Sequence, residues 1–242
     1  MKMIRWFLLL ILLTFYTKVF AQKDAVSLVV LELFTSQGCS SCPAADILLN
    51  DISKEYRDQN VYVLSYHVDY WNRLGWKDPF SAPKFSEYQR AYAIQFESES
   101  IYTPQLVING NMHVVGSNRA KVKAGIQKNA QPRITDTIKL IAIDKEEATY
   151  KIQYETEGRV SFDRITWVLT VAERSTEVSR GENRGRSLRN NHIVVNRAVS
   201  YARSGELVIA IPDWVKRDDR LSVFGYTQDQ RLQVTGAVQK TI

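Results

Sequence analysis

The sequence predicts an α/β chain in two parts: a first part built on a mostly parallel sheet, then a smaller antiparallel, β-sandwich-like part. Three observations predict this. Residues 26–34, Val-Ser-Leu-Val-Val-Leu-Glu-Leu-Phe, form a nearly continuous apolar, β-branched run, the pattern of a strand buried on both faces. A helical pattern follows at Cys42, and Val61-Tyr-Val-Leu-Ser-Tyr-His-Val-Asp69 then rejoins the sheet, so that strand, helix and strand imply a right-handed parallel crossover. From residue 133 onward, period-two alternation replaces helical spacing.

Residues 1–21 stand apart from the fold. Lys2 and Arg5 precede an apolar run from Trp6 to Leu13, and Val19-Phe20-Ala21 ends in a small residue, which reads as a signal peptide cleaved after Ala21. The run is shorter than the roughly 20 apolar residues of a spanning helix, so no stable membrane span is expected after cleavage. The expected location is exported, periplasmic or secreted. The formal charge of +6 loses Lys2, Arg5 and Lys18 with the signal, which leaves no strong basic field and speaks against nucleic acid as a partner. Two cysteines in 242 residues are too few for a disulfide-stapled scaffold, and their spacing of Cys39-x-x-Cys42 points to chemistry instead.

In chain order, the run at 26–34 is interrupted by Glu32. After Cys42, apolar residues at Ala44, Ile47, Leu48, Ile52 and Tyr56 fit a helix, with Pro43 tolerated in its first turn. Tyr70 to Phe80 is a loop rich in breakers with two tryptophans. Phe85, Tyr88, Tyr92 and Phe96 share a helical face. Leu106–Gly110 and Met112–Gly116 flank Asn109-Gly110-Asn111, a hairpin signal, and Ser117 is placed to cap a helix ending before Pro132. In the second part, strands are expected near 134–143, 150–155, 165–171, 192–201, 206–211, 221–226 and 231–238, seven strands at the intervals of a sandwich. The expected boundaries are therefore 1–21, 22–131 and 132–242.

An apolar strand, a turn bearing Cys-x-x-Cys and a helix starting at the second cysteine together make the sequence mark of a thioredoxin-like redox site. The helix start concentrates unpaired N–H groups and partial positive charge, which stabilise a thiolate. Cys39 is the expected nucleophile, exposed at the turn, and Cys42 the resolving partner. Thr103-Pro104, after a helix and before a hairpin, is placed for a cis-proline whose backbone pairs with a substrate strand. Glu32, a carboxylate on a buried strand, is a candidate to carry the proton of the resolving cysteine. His67, Asp69 and Trp71 alternate near the carboxyl end of their strand and are expected to line the substrate side. His67 together with both cysteines also offers a soft-metal set for Cu(I) or Zn. The run Arg180-Gly-Glu-Asn-Arg-Gly-Arg-Ser-Leu-Arg189 reads as a solvated hairpin loop, with folding over the redox site or gripping an acidic partner as alternatives.

Five segments in order carry a wider resemblance: Glu32-Leu-Phe-Thr-Ser-Gln-Gly-Cys-Ser-Ser-Cys-Pro43, His67-Val-Asp-Tyr-Trp71, Gly75-Trp-Lys-Asp-Pro-Phe80, Tyr102-Thr-Pro-Gln105 and Arg180-Gly-Glu-Asn183. Together they resemble a bacterial family of exported thioredoxin-like proteins catalogued as a domain of unknown function. The resemblance implies a thioredoxin-like domain with the redox pair, joined to a smaller β-rich domain, and no established substrate. Glu32 is similar in position to the buried acid of thioredoxins, although the loop here is one residue longer. Family members often have two prolines after the second cysteine, where this chain has Pro43-Ala44. Against thioredoxin, Ser40-Ser41 replaces Gly-Pro and Gly38 replaces a tryptophan. The residues between the cysteines tune the potential, about 30 mV per 1.4 kcal/mol, so redox direction does not transfer.

The expected function is thus an exported thiol-disulfide oxidoreductase acting on disulfides or dithiols of envelope proteins through Cys39 and Cys42. It would need a separate redox partner and no cofactor. The alternatives are a binding module with a structural or redox-sensing disulfide and a Cu(I)-handling protein.

Overall fold

The structure is a computed structural model and describes residues 28–130, 136–158 and 162–242. The expected signal peptide and the expected boundary at 131/132 lie outside the described residues. Among the described residues no helix is long and apolar enough to cross a membrane.

The first part begins with β1 (Val29–Thr35), buried along its whole length, then α1 (Cys42–Glu55) and β2 (Val61–His67). β1 and β2 pair in parallel, Val29 opposite Val61 through Thr35 opposite His67. α1 buries Ala45, Leu48, Leu49 and Ile52 against Val29, Leu31 and Leu33 of β1. Its inner face is therefore offset from the expected one: Ala44 and Ile47 point to solvent. Each fully buried aliphatic side chain here stabilises the fold by about 1.5–3 kcal/mol. A short 3-10 turn (Asn72–Leu74) and α2 (Pro83–Gln95) follow; α2 lies on the opposite sheet face, with Phe85, Tyr88 and Tyr92 inward.

β3 (Gln105–Ile108) and β4 (Met112–Val115) form the expected hairpin, β3 antiparallel to β1. Asn109 (φ 49°) and Gly110 (φ 66°) make its turn in the left-handed region, the requirement behind the Asn-Gly signal. A Cβ on Gly110 would sit 1.9 Å from the Leu232 carbonyl oxygen, so the turn is locked beneath the C-terminal part of the chain. α3 (Arg119–Asn129) is capped by Asn118, whose side chain accepts from the Lys121 N–H. Ser117, the expected cap, stands one residue earlier.

The sheet order overturns the expected thioredoxin-like domain followed by a separate β-sandwich-like domain. β7 (Arg164–Glu177), β8 (Ser187–Ser200), β10 (Leu221–Gln228) and β11 (Val234–Thr241) belong to the same sheet as the first four strands, in the order β11-β10-β7-β8-β2-β1-β3-β4. The join is a parallel bridge from Ser65 of β2 to Ile193 of β8. Among the described residues, β5 (Asp136–Glu146), β6 (Thr149–Gly158) and β9 (Ser204–Ala210) make a second, three-stranded sheet. The molecule is mostly β, with one eight-stranded mixed sheet at its centre.

The physical reason lies in β7 and β8. Alternation of Ile165, Trp167, Leu169 and Val171 suggests one buried face, but the intervening Thr166, Val168 and Thr170 are buried as well. A strand buried on both faces belongs inside a sheet. One face of β7, β8 and β10 packs on the three-stranded sheet through Ile152, Tyr154, Trp167 and Val223. The other packs on α2 through Val168, Val194, Phe224 and Tyr226.

Candidate functional site

Cys39 sits in the turn leaving β1, Cys42 is the first residue of α1, and the two form a disulfide with Cα atoms 5.4 Å apart. The turn is closed by the Cys39 N–H to Ser36 O, the Gly38 N–H to Ser36 Oγ and the Cys42 N–H to Cys39 O. Ser41 at the N-cap makes no capping bond, and the first turn of α1 holds no acidic residue. The positive end of the helix is therefore not neutralised from within, which favours a thiolate on reduction. Ser41 Oγ lies 3.3 Å from Cys39 Sγ.

Opposite the pair, Thr103-Pro104 is a cis peptide. The Thr103 carbonyl oxygen lies 3.9 Å from Cys39 Sγ, and the Trp71 indole N–H donates to Thr103 Oγ1 at 2.8 Å. Trp71 also packs on the turn, since a Cβ on Gly38 would meet its Cβ at 3.1 Å. Trp71, Thr103 and Pro104 are thus brought to the cysteines. Asp69 is not: β2 ends at His67, the alternation stops, and the Asp69 carboxylate is taken by the Ser86 hydroxyl of α2 at 2.5 Å.

The third wall comes from the far end of the sequence. In the loop between β7 and β8, Glu182 accepts the Ser40 N–H at 3.0 Å. Asn183 donates its amide to the Gln37 and Cys39 carbonyls, both at 2.9 Å, and its own oxygen is held by Arg186. Cys39 is consequently only 1% exposed, although Ser40 and Ser41 just after it are exposed. The expectation of an exposed Cys39 is corrected: Asn183 and Glu182 of this loop cover it, while Arg180, Arg184, Arg186 and Arg189 are exposed, as expected of a solvated hairpin loop. Ser40 pulls the Glu182 carboxyl below its ordinary value by hydrogen bonding.

Behind the pair lies a buried cluster of two carboxylates and a histidine. Asp46, one turn after Cys42 on α1, accepts from Thr35 Oγ1 at 3.0 Å; its second oxygen makes no hydrogen bond. Burial raises its pKa to about 6 against the lowering effects of His67 and of the Thr35 and Asn190 side chains. His67 is fully buried, its Nδ1 bonded to Asp78 Oδ2 at 2.7 Å and its Nε2 unpaired. Burial acts to lower the histidine pKa, but the charge and hydrogen bond of Asp78, with the charge of Asp46, outweigh it and hold the pKa above the ordinary value. The same Asp78 oxygen accepts the Gln37 N–H at 2.8 Å, and so ties the cluster to the cysteine turn.

Glu32 is elsewhere. It projects from the α2 face of β1, among the hydroxyls of Tyr92 (2.5 Å), Tyr226 (2.7 Å) and Tyr88 (3.0 Å). Burial raises its pKa, and the three hydroxyls draw it partly back. The Arg197 guanidinium caps the Tyr88 ring at 4.0 Å. Strand parity sets this placement: Leu31, Leu33 and Thr35 face α1, so Glu32 faces away. Among the described residues no group of three or more His, Cys, Asp or Glu side chains is arranged to hold a metal ion.

Residues 30–225 match the family model described as protein of unknown function (DUF1223). The chain belongs to this family. Two solved structures share the fold. A protein of Agrobacterium tumefaciens is 23% identical, with 90% of this chain and 95% of that one covered at a TM-score of 0.64. HBP35 of Porphyromonas gingivalis is 14% identical, with 90% and 76% covered at 0.62. A search of curated proteins returns no match.

Sequence reasoning missed Asp46, Asp78, Asn183 and Gln37. Asp46 carried a signal, as a carboxylate four residues after Cys42 on a helix that buries that face. Asp78 and Asn183 lie within two of the segments that carried the resemblance, Gly75–Phe80 and Arg180–Asn183, and their roles emerge only when the loops converge on Gln37.

Proposed function

We propose that the protein is a thiol-disulfide oxidoreductase, exported to the periplasm or beyond, that reduces or rearranges disulfides of other envelope proteins. The observation that carries this reading is Cys39 Sγ at the uncapped start of α1, against the Thr103 carbonyl. In the reduced protein, the Cys39 thiolate attacks a substrate disulfide; one substrate sulfur bonds to Cys39 and the other leaves as a thiolate that solvent protonates. Cys42 then displaces the bound sulfur, closing Cys39–Cys42 and releasing a dithiol. The substrate gains two electrons and the pair loses them, and a protein dithiol partner restores it. The N–H groups around Cys42 and the Ser41 hydroxyl are placed to solvate the Cys39 thiolate.

The test uses protein beginning at residue 22, with Cys39→Ser as control. Reduction of insulin or of glutathione disulfide, lost in the control, supports the reading; no exchange across a range of poise overturns it.

A second reading is favoured by the buried Cys39: a binding module whose disulfide is structural or redox-sensing. Alkylation separates the two. Rapid single labelling of Cys39 in native reduced protein near neutral pH speaks for the oxidoreductase, and labelling only in denaturant speaks for the module.

A further inference from the structure

Two polar atoms stand unpaired in the buried layer behind the cysteines, Asp46 Oδ1 and His67 Nε2. A buried carboxylate oxygen without a donor is costly unless it serves a purpose. Cys42 and Asp46 are both on the buried face of α1, one turn apart, where Cβ atoms lie about 5–6 Å from each other. Helical side chains lean toward the N-terminus, so the Asp46 carboxylate leans toward Cys42 rather than away from it. Thr35 fixes Oδ2; the Asn190 side chain also faces the carboxylate but makes no hydrogen bond of normal geometry to Oδ1.

We propose that Asp46 is the proton acceptor for Cys42 when the pair exchanges with a protein disulfide. The inference rests on the oxidoreductase reading and assigns the base of its second step. In the mixed disulfide, the Cys42 S–H proton passes to Asp46 Oδ1. The Cys42 sulfur then bonds to Cys39 Sγ, the bond from Cys39 to the substrate sulfur breaks, and the substrate thiolate leaves. In the reverse direction Asp46 returns the proton as Cys42 becomes a leaving group. Glu32, the acid expected for this task, is excluded by its place on the other sheet face.

The groups facing Asp46 set its readiness. From β1 comes the Thr35 hydroxyl, from β2 the His67 ring, from β8 the Asn190 side chain, and from the loop before α2 the Asp78 carboxylate. His67 lowers and Asp78 raises the Asp46 pKa, and burial, the largest influence, places it at about 6. A base with that value is ionised near neutral pH and strong enough to matter against a thiol of ordinary pKa about 8.5. His67 and Asp78 are positioning residues: they act through Asp46 and the cysteine turn.

The test is single-turnover reaction of the reduced protein with 5,5′-dithiobis(2-nitrobenzoate), whose two chromophore releases report attack by Cys39 and resolution by Cys42. In Asp46→Asn the ratio of the second rate constant to the first should fall on the order of 10²-fold at pH 7, the range of a lost general base. It should recover as pH approaches 9, where hydroxide ionises Cys42. An unchanged ratio, or a loss that does not recover with pH, overturns the inference. In the unaltered protein the second release should rise with pH through an inflection near 6, and a flat profile there overturns it without any variant. Absence of the first release in unaltered protein removes the oxidoreductase reading, and this inference with it. A normal first release with an unchanged ratio removes the inference alone.

Discussion

Two buried carboxylates, Glu32 and Asp46, lie on opposite faces of the central sheet, and burial raises the pKa of both. Their surroundings differ. Glu32 receives hydroxyls from three tyrosines on two elements, α2 and β10, and so binds the first strand to the C-terminal strands. Asp46 has one hydrogen bond, from Thr35, an Oδ1 with no partner at hydrogen-bond geometry, and the His67 ring and the Asn190 side chain nearby. A satisfied buried acid holds a fold together, whereas an unsatisfied one, one turn from a cysteine pair, has an oxygen left over for a proton. The raised pKa alone does not tell the two roles apart; the count of hydrogen bonds does.

The largest expected effect is on the tyrosine side. Glu32→Ala leaves the Tyr88, Tyr92 and Tyr226 hydroxyls short of an acceptor and opens a cavity, which should cost about 3–5 kcal/mol in urea unfolding. Exchange per folded molecule should be unaltered; a selective loss of the second thiol step would place Glu32 in the chemistry and break the contrast.

Asp46→Asn should act in the opposite direction on stability. The folded protein holds the Asp46 proton up to about pH 6, whereas the unfolded chain releases it near its ordinary value of 3.8. The folded state therefore loses stability as pH rises through that window, and the deficit is complete above it. Asparagine removes the deficit, for a gain of about 1–3 kcal/mol at pH 7 and little below pH 4. His67, with its pKa held above the ordinary 6.5, adds stability that is present below pH 6.5 and lost as pH rises through the folded value. Since Glu32 slopes the same way as Asp46, the difference between unaltered protein and Asp46→Asn, measured by urea unfolding from pH 4 to 8, isolates Asp46.

The cover belongs to the Asp46 side alone. Asn183→Ala removes two bonds from a buried amide and leaves two carbonyls short, costing about 1–3 kcal/mol and speeding Cys39 alkylation on the order of tenfold, since 1.4 kcal/mol is a factor of ten. Equal alkylation rates would show that the loop does not control access. Glu182→Gln, at an exposed contact, should raise the same rate by about twofold or less, an effect that added salt erases.

Much of the first part was legible because its signals are local. Cys39-x-x-Cys42, Pro43 and the apolar spacing of α1 lie within one element, and Asn109-Gly110 demands φ angles that few other residues supply. The strands of the second part were legible one by one, but their destination was not. Thr166 and Thr170 read as the solvent face of β7 because a threonine pattern does not reveal which side is covered. The Ser65–Ile193 bridge that draws β8 beside β2 has no local mark. Asn183 was hidden for the same reason: its value depends on two carbonyls at residues 37 and 39, far away in sequence. Glu32 was misplaced by a single step of strand parity, since distance along the chain to Cys39 does not say which face a side chain takes.

The span between Asn183 and the carbonyls it holds has a consequence for how the protein is made. The contacts bridge 146 and 144 positions, so on a ribosome working at about 5–20 residues per second the cysteines emerge about 7–30 seconds ahead of their cover. Until Asn183 arrives, the cysteine turn lacks the contacts that cover it. Closure of so long a loop is also slow compared with hairpin or helix formation. The molecule is thus born with its sulfurs accessible, and it becomes guarded only when its last third arrives.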